Sequence, residues 1–417
     1  MEYVLLPILH RIQRIYERPT DGLVIPNLGK GQIYTSGAHM HTPADIRVST
    51  SREFISALKD AKPGQIIELT EGTYLFTDKI KLGAAGASNA PITVRAGKVG
   101  GTVLEFNSLE GFLVDQPYWI FEDFIIRGKC TSDDQNCEHA FHVVGKAEHT
   151  KIINNYIEDF NAHIKVNGFA GDWPDYGLVK HNTLTNTRVR QTRFPVTLFD
   201  LVGANHWELS DNLVTNFVKG DGNLVSFGIF MKGASEGGTI VRNLVICSPN
   251  NISQPGVRVG ISFGGGGTSP TSLCRDGSCS KFEHRGGIAA NNIVAHCNDS
   301  GLDINNSSQI ILAFNTLINT SGMDIRRSPA KADFYGNLYE GNVRSRDGAV
   351  LKQEFNQSMR ATDLFQNADE LNLQWISRVD NIPSLREVKD DFCGHTRADG
   401  TLPGALSDID NCRGQGK

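Results

Sequence analysis

Positive charge is not in surplus in this chain. Its 417 residues carry 41 Lys and Arg against 46 Asp and Glu, a formal net charge of -5. That balance argues against a general nucleic-acid binder, which needs a basic surface to displace counterions from phosphates. A polyanionic substrate would have to be met by a local basic groove instead. Long hydrophobic runs are missing too, and no stretch reaches membrane-spanning length. No CxxC pair or His cluster has the spacing of a zinc site. No GK[ST] accompanies the glycine run at 264–267, which argues against a phosphate-cradling loop. The opening MEYVLLPIL is apolar, but it has an acid at position 2 and no small-residue cleavage pattern, so it does not read as an intact signal peptide.

What the chain does have is repetition. The segments NNYI, HNTL, DNLV, RNLV, NNIV, FNTL and GNLY each place an Asn two residues before an aliphatic or aromatic residue. The asparagines are Asn155, Asn182, Asn212, Asn243, Asn292, Asn315 and Asn337, with spacings of 27, 30, 31, 49, 23 and 22. A period in the twenties that tolerates insertions marks a solenoid with loops of variable length. An Asn recurring at a turn fits a parallel β-helix, where stacked amides bond to one another and to the turn backbone. The fold class expected is therefore all-β, a single parallel β-helix. The spacing of 49 must hold an extra loop, or a further rung plus a loop.

Open solenoid ends need covering, because an exposed rung is an unpaired sheet edge. Thr50-Ser51-Arg52-Glu53 is a capping box, and Phe54, Leu58 and Ala61 then share one helical face, so an N-terminal capping helix is expected over 50–62. The organisation expected is an N-terminal extension at 1–45, a catalytic β-helix domain at 46–350, and a tail at 351–417 folded back along the outside. The eight cysteines are even in number. Cys130 with Cys137, Cys274 with Cys279 and Cys393 with Cys412 are close in sequence. Cys247 and Cys297 follow ladder asparagines by 4 and 5 residues, which puts them past the same corner. This reads as a disulfide set and a secreted or periplasmic protein.

A β-helix offers a long sheet face edged by loops, suited to an extended polymer. Acidic polysaccharides are broken on such faces by hydrolysis, which needs two carboxylates across a glycosidic bond, or by β-elimination. Elimination needs a base, a group that neutralises the uronate carboxylate, and an acid for the leaving oxygen. The NxD, DD, GHG and RIK motifs shared by inverting β-helix hydrolases do not stand here as a set. Asp303 and Asp324 would lie one rung apart and are the one hydrolase pair to weigh, against Asp200 alone at a strand centre. Counting back from the asparagines aligns Val144, Val202, Lys232, Asn305 and Arg326 on one edge of successive rungs, with the glycine run beside Lys232. Lys232 ends the apolar run FGIFM, where lost solvation favours the neutral amine that a base requires. Arg258, Arg275 and Arg285 follow. A guanidinium can clamp a carboxylate in two places and keeps its proton.

The rungs, the capping helix with its PGQIIELTEGTY continuation, and KGASEGGTIVRNLV (232–245) resemble right-handed β-helix polysaccharide lyases. The family named by that resemblance is polysaccharide lyase family six, the alginate lyases and chondroitinase B, over roughly residues 46–350. The resemblance implies a right-handed β-helix, with Lys232 as base and an Arg of the next rung, Arg258, as acid or clamp. It also implies a calcium ion bound by acids just upstream of the Lys, but VSFGIFM (225–231) holds none, so no metal or other cofactor is expected. An Arg, His or Asn must then neutralise the carboxylate. The ending DFCGHTRADGTLPGA (391–405) looks like a tail common in secreted β-helix carbohydrate enzymes. The expected catalytic residues are Lys232, Arg258 and Arg275, and the expected substrate-binding residues are Arg193, His206, Glu283, His284 and Arg326. The expected partner is an acidic polysaccharide, alginate first and a glycosaminoglycan second, with no nucleic acid, no membrane and a monomeric chain. The rivals are a glycoside hydrolase, a uronate epimerase and a non-catalytic carbohydrate-binding solenoid.

Overall fold

The computed structural model describes residues 22–32, 42–130, 134–250, 254–265, 268, 270–377, 379–407, 409 and 412. The opening MEYVLLPIL, and Gly266 and Gly267 of the glycine run, lie outside the described residues. Three long parallel sheets, of 12, 11 and 10 strands, run side by side along a right-handed β-helix. We call them sheets A, B and C in that order, and each rung visits C, then A, then B. Sheet A begins at Ile46–Val48, sheet B ends at Gln357–Ser358, and sheet C spans Ile80–Lys81 to Asn342–Arg346.

The sharp corner between sheets A and B is where the asparagines act. Asn154, His181, Asp211, Arg242, Asn291 and Phe314 hold left-handed φ values of 53–59° there. Each such residue costs on the order of 1–2 kcal/mol. The next residue offsets it. Asn182 Oδ1 accepts the Asn155 backbone N–H at 2.9 Å, Asn212 Oδ1 that of Asn182 at 2.8 Å, and Asn243 Oδ1 that of Asn212 at 3.0 Å. The ladder continues through Asn292, Asn315 and Asn337, and gains Asn356, whose Oδ1 accepts the Asn337 N–H at 2.9 Å.

Side chains alternate across sheet C with the period of a strand. The inward column Phe112, Phe141, Ile164, Phe199, Ile229, Ile261, Leu302 and Met323 is in register and at most 1 % exposed. The helix Ser51–Lys59 closes the first end, with its capping box formed and Phe54 packed 6.1 Å from Phe76 and 6.3 Å from Phe124, ring to ring. The tail after Ala361 covers the outside of sheet B, where Leu364, Phe365, Leu371 and Leu373 bury Leu244, Ile293 and Leu338. In its GHTRADGTLPGA stretch Arg397 reaches Asn291 Oδ1 at 2.7 Å and the carbonyls of Gly404 and Ala405, and lies over Phe314. That motif is a structural clamp.

All four expected disulfides are formed, Cys130–Cys137, Cys247–Cys297, Cys274–Cys279 and Cys393–Cys412. Leu244 pairs directly with Ile293, so the spacing of 49 is one rung with a long insertion, and Cys247 and Cys297 stand on adjacent rungs with Cα atoms 4.9 Å apart. The insertion leaves sheet C after Phe263 and returns at His284–Arg285, which pairs with Ser235–Glu236 and Ser307–Ser308 in a small three-stranded sheet.

Candidate functional site

The outward face of sheet C carries two columns of side chains. One runs His142, Lys165, Asp200, Phe230, Ser262, Asp303 and Asp324. The second stands two residues further along and contains Val144, Asn167, Val202 and Lys232, then Asn305 and Arg326. Gly264 fills the place between Lys232 and Asn305, its N–H donating to Met231 O at 2.7 Å. The alignment made from the ladder asparagines is therefore the observed register. At Gly264, with φ +78°, an added Cβ would strike Asn305 O, so the glycine is required both by its conformation and by the close approach.

Lys232 closes the strand Val225–Lys232. Its amine makes no hydrogen bond or ion pair among the described residues, and lies 4.8 Å from the centre of the Phe230 ring. The other charges of the face are committed. Lys165 Nζ donates to Asp200 Oδ2 at 2.6 Å. Burial pushes the Asp200 carboxyl up, but the charges of Lys165 and Lys232 outweigh it and the net direction is down. His142 Nδ1 is hydrogen-bonded with Glu110 Oε1 at 2.7 Å and its Nε2 lies 2.9 Å from Asn167 Oδ1, and the Asn167 amide is oriented by its own bond to Gly168 O. The bond from His142 is the main cause that holds Glu110 at about 2.

Towards the last rungs the face becomes arginine-rich. Arg326 bridges Asp303 and Asp324, and Arg346 donates to both oxygens of Asp324 at 3.1 and 2.8 Å. Asp303 and Asp324 are in register on adjacent rungs, as expected, and their carboxyls move in opposite directions. Burial raises Asp303; burial also acts on Asp324, but Arg346, Arg344 and Arg326 bring it down.

The other expected site residues scatter. Arg258 pairs with Ser226, six residues before Lys232, and is 1 % exposed with its guanidinium bonded to the Gln254 and Pro255 carbonyls. Six strand positions are roughly 20 Å, so Arg258 and Lys232 do not come together. Arg275 does approach the Lys232 edge. Its N–H donates to Gly233 O, and its guanidinium bonds to Asp175 at 2.7 Å over the Trp173 ring. Arg193 is exposed on the opposite edge of sheet C, 3.6 Å from Asp221. His206 lies in the turn into sheet A, stacked on Tyr176 at the end of a ring ladder that runs Tyr118, His149, Tyr176, His206. Glu283 and His284 are buried. Glu283 accepts from Gly233 N, Thr268 N and Thr268 Oγ1, which staples the insertion to the Lys232 turn. His284 bonds Ser235 Oγ at 2.7 Å, and burial holds it neutral at about 3. Sequence reasoning missed Glu110, His142, Lys165 and Asn167; the signal was polar residues alternating within apolar strands, as in HAFHVV and IKVN.

The donor set beside Lys232 does not fit calcium. The strand before it has no carboxylate, and Asp200, the nearest acid in register, already holds Lys165. Among the described residues the groupings with metal-ligand geometry are Cys274, Asp276, Cys279 and Asp391, Cys393, His395, and their cysteines are in disulfides.

Residues 48–221 match the chondroitinase B family model. No curated protein matches the chain by sequence. The solved structure of pectate lyase Pel9A superimposes with a TM-score of 0.62 and 14% identity over 94% of this chain and 98% of that one. The GH136 lacto-N-biosidase from Eubacterium ramulus gives 0.50 at 13% identity over 73% and 64%. An alginate lyase from Paenibacillus sp. str. FPU-7 gives 0.42 at 17% identity over 75% and 94%. The chain thus resembles the parallel β-helix polysaccharide lyases, and the likeness in structure is one of fold. No helix among the described residues is long and apolar enough to cross a membrane.

Proposed function

We propose that this protein is a polysaccharide lyase that cleaves a uronate-containing polymer by β-elimination, with alginate as first substrate and a glycosaminoglycan as second. The observation that carries the reading is the uncommitted Lys232 amine on a face where the neighbouring charges are paired. As base, Lys232 takes the proton beside the uronate carboxylate. Arg275 is the guanidinium at that edge and is assigned the carboxylate, with Arg326 and Arg193 contacting sugars further along the groove. Arg258 is set aside because its guanidinium is buried and turned to backbone carbonyls. Four disulfides fit a secreted or periplasmic setting for such an enzyme.

A panel of uronate polymers tests this. The expected product carries a carbon–carbon double bond conjugated to the carboxylate and absorbs in the ultraviolet. Lys232→Ala is expected to lower the rate by about 10²–10⁴ while the protein stays folded. A variant with near-normal rate removes Lys232 from the mechanism. A second reading, hydrolysis by Asp303 and Asp324, is favoured by the opposite shifts of the two carboxyls. It predicts new reducing ends without the ultraviolet signal, and loss of activity in Asp303→Asn.

A further inference from the structure

Two lysines lie on the same outward face, and their surroundings differ in kind. Lys165 stands in register with Asp200, and its ammonium is held there at 2.6 Å. Asp200 stands in register with Phe230 on the next rung, and Lys232 leans back so that its amine lies 4.8 Å from the Phe230 ring centre. Lys165 therefore stands one rung before Asp200, about 4.8 Å away, and Lys232 stands on the rung after it, two residues beyond Phe230 along the strand. One is fixed in place by a carboxylate. The other rests on an aromatic face, makes no hydrogen bond or ion pair among the described residues, and still acts on Asp200 through its charge. A fixed amine is set to deliver a proton at one point, and an unanchored one to collect a proton at another. Asp200 is 6 % exposed and its second oxygen, Oδ1, is buried without a hydrogen-bond partner, so the bond to Lys165 is the one that fixes this carboxylate on the face.

We propose that Lys165 is the proton donor to the leaving oxygen, and that Asp200 is its positioning residue. The inference rests on the lyase reading above. In the step, the Lys232 lone pair takes the proton from C5, and that C–H pair becomes the C4–C5 double bond. The C4–O bond breaks with its electrons going to the glycosidic oxygen, which takes a proton from Lys165 Nζ. Lys232 then loses its proton to water and Lys165 regains one, so no other reactant is needed. The side chain of Lys165 is 19% exposed, which leaves its amine reachable from the groove while Asp200 holds it.

A leaving group that needs no proton separates this role from a structural one. The probes are alginate and an oligouronate bearing 4-nitrophenoxide on C4 of its non-reducing end, read by ultraviolet absorbance and by nitrophenolate release. Lys165→Met is expected to lose about 10²–10⁴ in rate on the polymer and to stay within about tenfold of the parent on the nitrophenoxide. Lys232→Ala is expected to fail on both. Because Lys165→Met strands the buried Asp200, the double variant Lys165→Met/Asp200→Asn is measured alongside, with the same pattern expected. Equal losses on both probes, or no loss on the polymer, overturn the assignment of Lys165. A parent protein that releases unsaturated product from neither probe overturns the lyase reading itself.

Discussion

Removing one rung of the asparagine ladder tests how the corners are held. Asn243 is 0 % exposed. Its Oδ1 accepts from Asn212 N at 3.0 Å and Asn212 Nδ2 at 2.9 Å, and its Nδ2 donates to Leu209 O at 2.9 Å and Asn292 Oδ1 at 3.1 Å. Asn243→Ala deletes these bonds and strands the Asn212 N–H away from water. An unsatisfied buried group costs about 1–3 kcal/mol and each further lost bond about 0.5–1.5 kcal/mol, so the expected loss is roughly 2–5 kcal/mol. Asn356 makes the same bond to Asn337 but sits on the last rung, half-buried, where water replaces the lost partner. Asn356→Ala should cost only about 1 kcal/mol. The assay is urea unfolding of both variants, comparing midpoints at unchanged slope. Equal midpoints, or a larger loss at Asn356, would refute the claim that buried amides hold the corners.

Three more outcomes follow from the site and the bridges. Activity on the preferred polymer should survive EDTA; a loss restored by calcium would place a metal among residues read here as unfit for one. The Glu110 carboxyl is depressed from 4.5 to about 2, chiefly by His142. Its contribution to stability is therefore present above pH 4.5 and lost as pH falls towards 2. The stability gap between the parent and Glu110→Gln should shrink across that window, and a constant gap would contradict it. Thiol titration of the denatured, unreduced protein should find none of the eight cysteines free; two free thiols would break Cys247–Cys297.

How far the sequence could be read depended on whether the signal was local. The ladder was legible because each Asn sits in a four-residue signature, and Asn356 escaped because Ser358 stands where the other rungs have an apolar residue. Register followed from the ladder, which is why the column from Val144 to Arg326 emerged correctly. Pairing of charges did not. Lys165 and Asp200 are 35 residues apart and meet only because they occupy the same step of neighbouring rungs. Arg258 was expected near Lys232 because the family resemblance asks for an Arg of the next rung and Arg258 is the first one past Asn243. Pairing Arg258 with Ser226 puts it at the far edge of the sheet. Glu283 and His284 looked available because they are polar and follow a glycine-rich insertion. In the fold the insertion closes over them, and Glu283 holds the turn behind Lys232 while His284 packs on Phe263.

The same logic explains why the unpaired amine is the informative feature. A parallel β-helix repeats its outward columns rung after rung, so a charge placed on one rung meets whatever the next rung carries at that step. Lys165 meets Asp200, and Asp303 meets Asp324 with Arg326 between them. Lys232 meets Val202 on one side and a glycine on the other. An aliphatic neighbour and one without a side chain leave the lysine with no ion-pair partner at that step among the described residues. A face built only for stability would have paired it or replaced it with an aliphatic residue like Val144 and Val202.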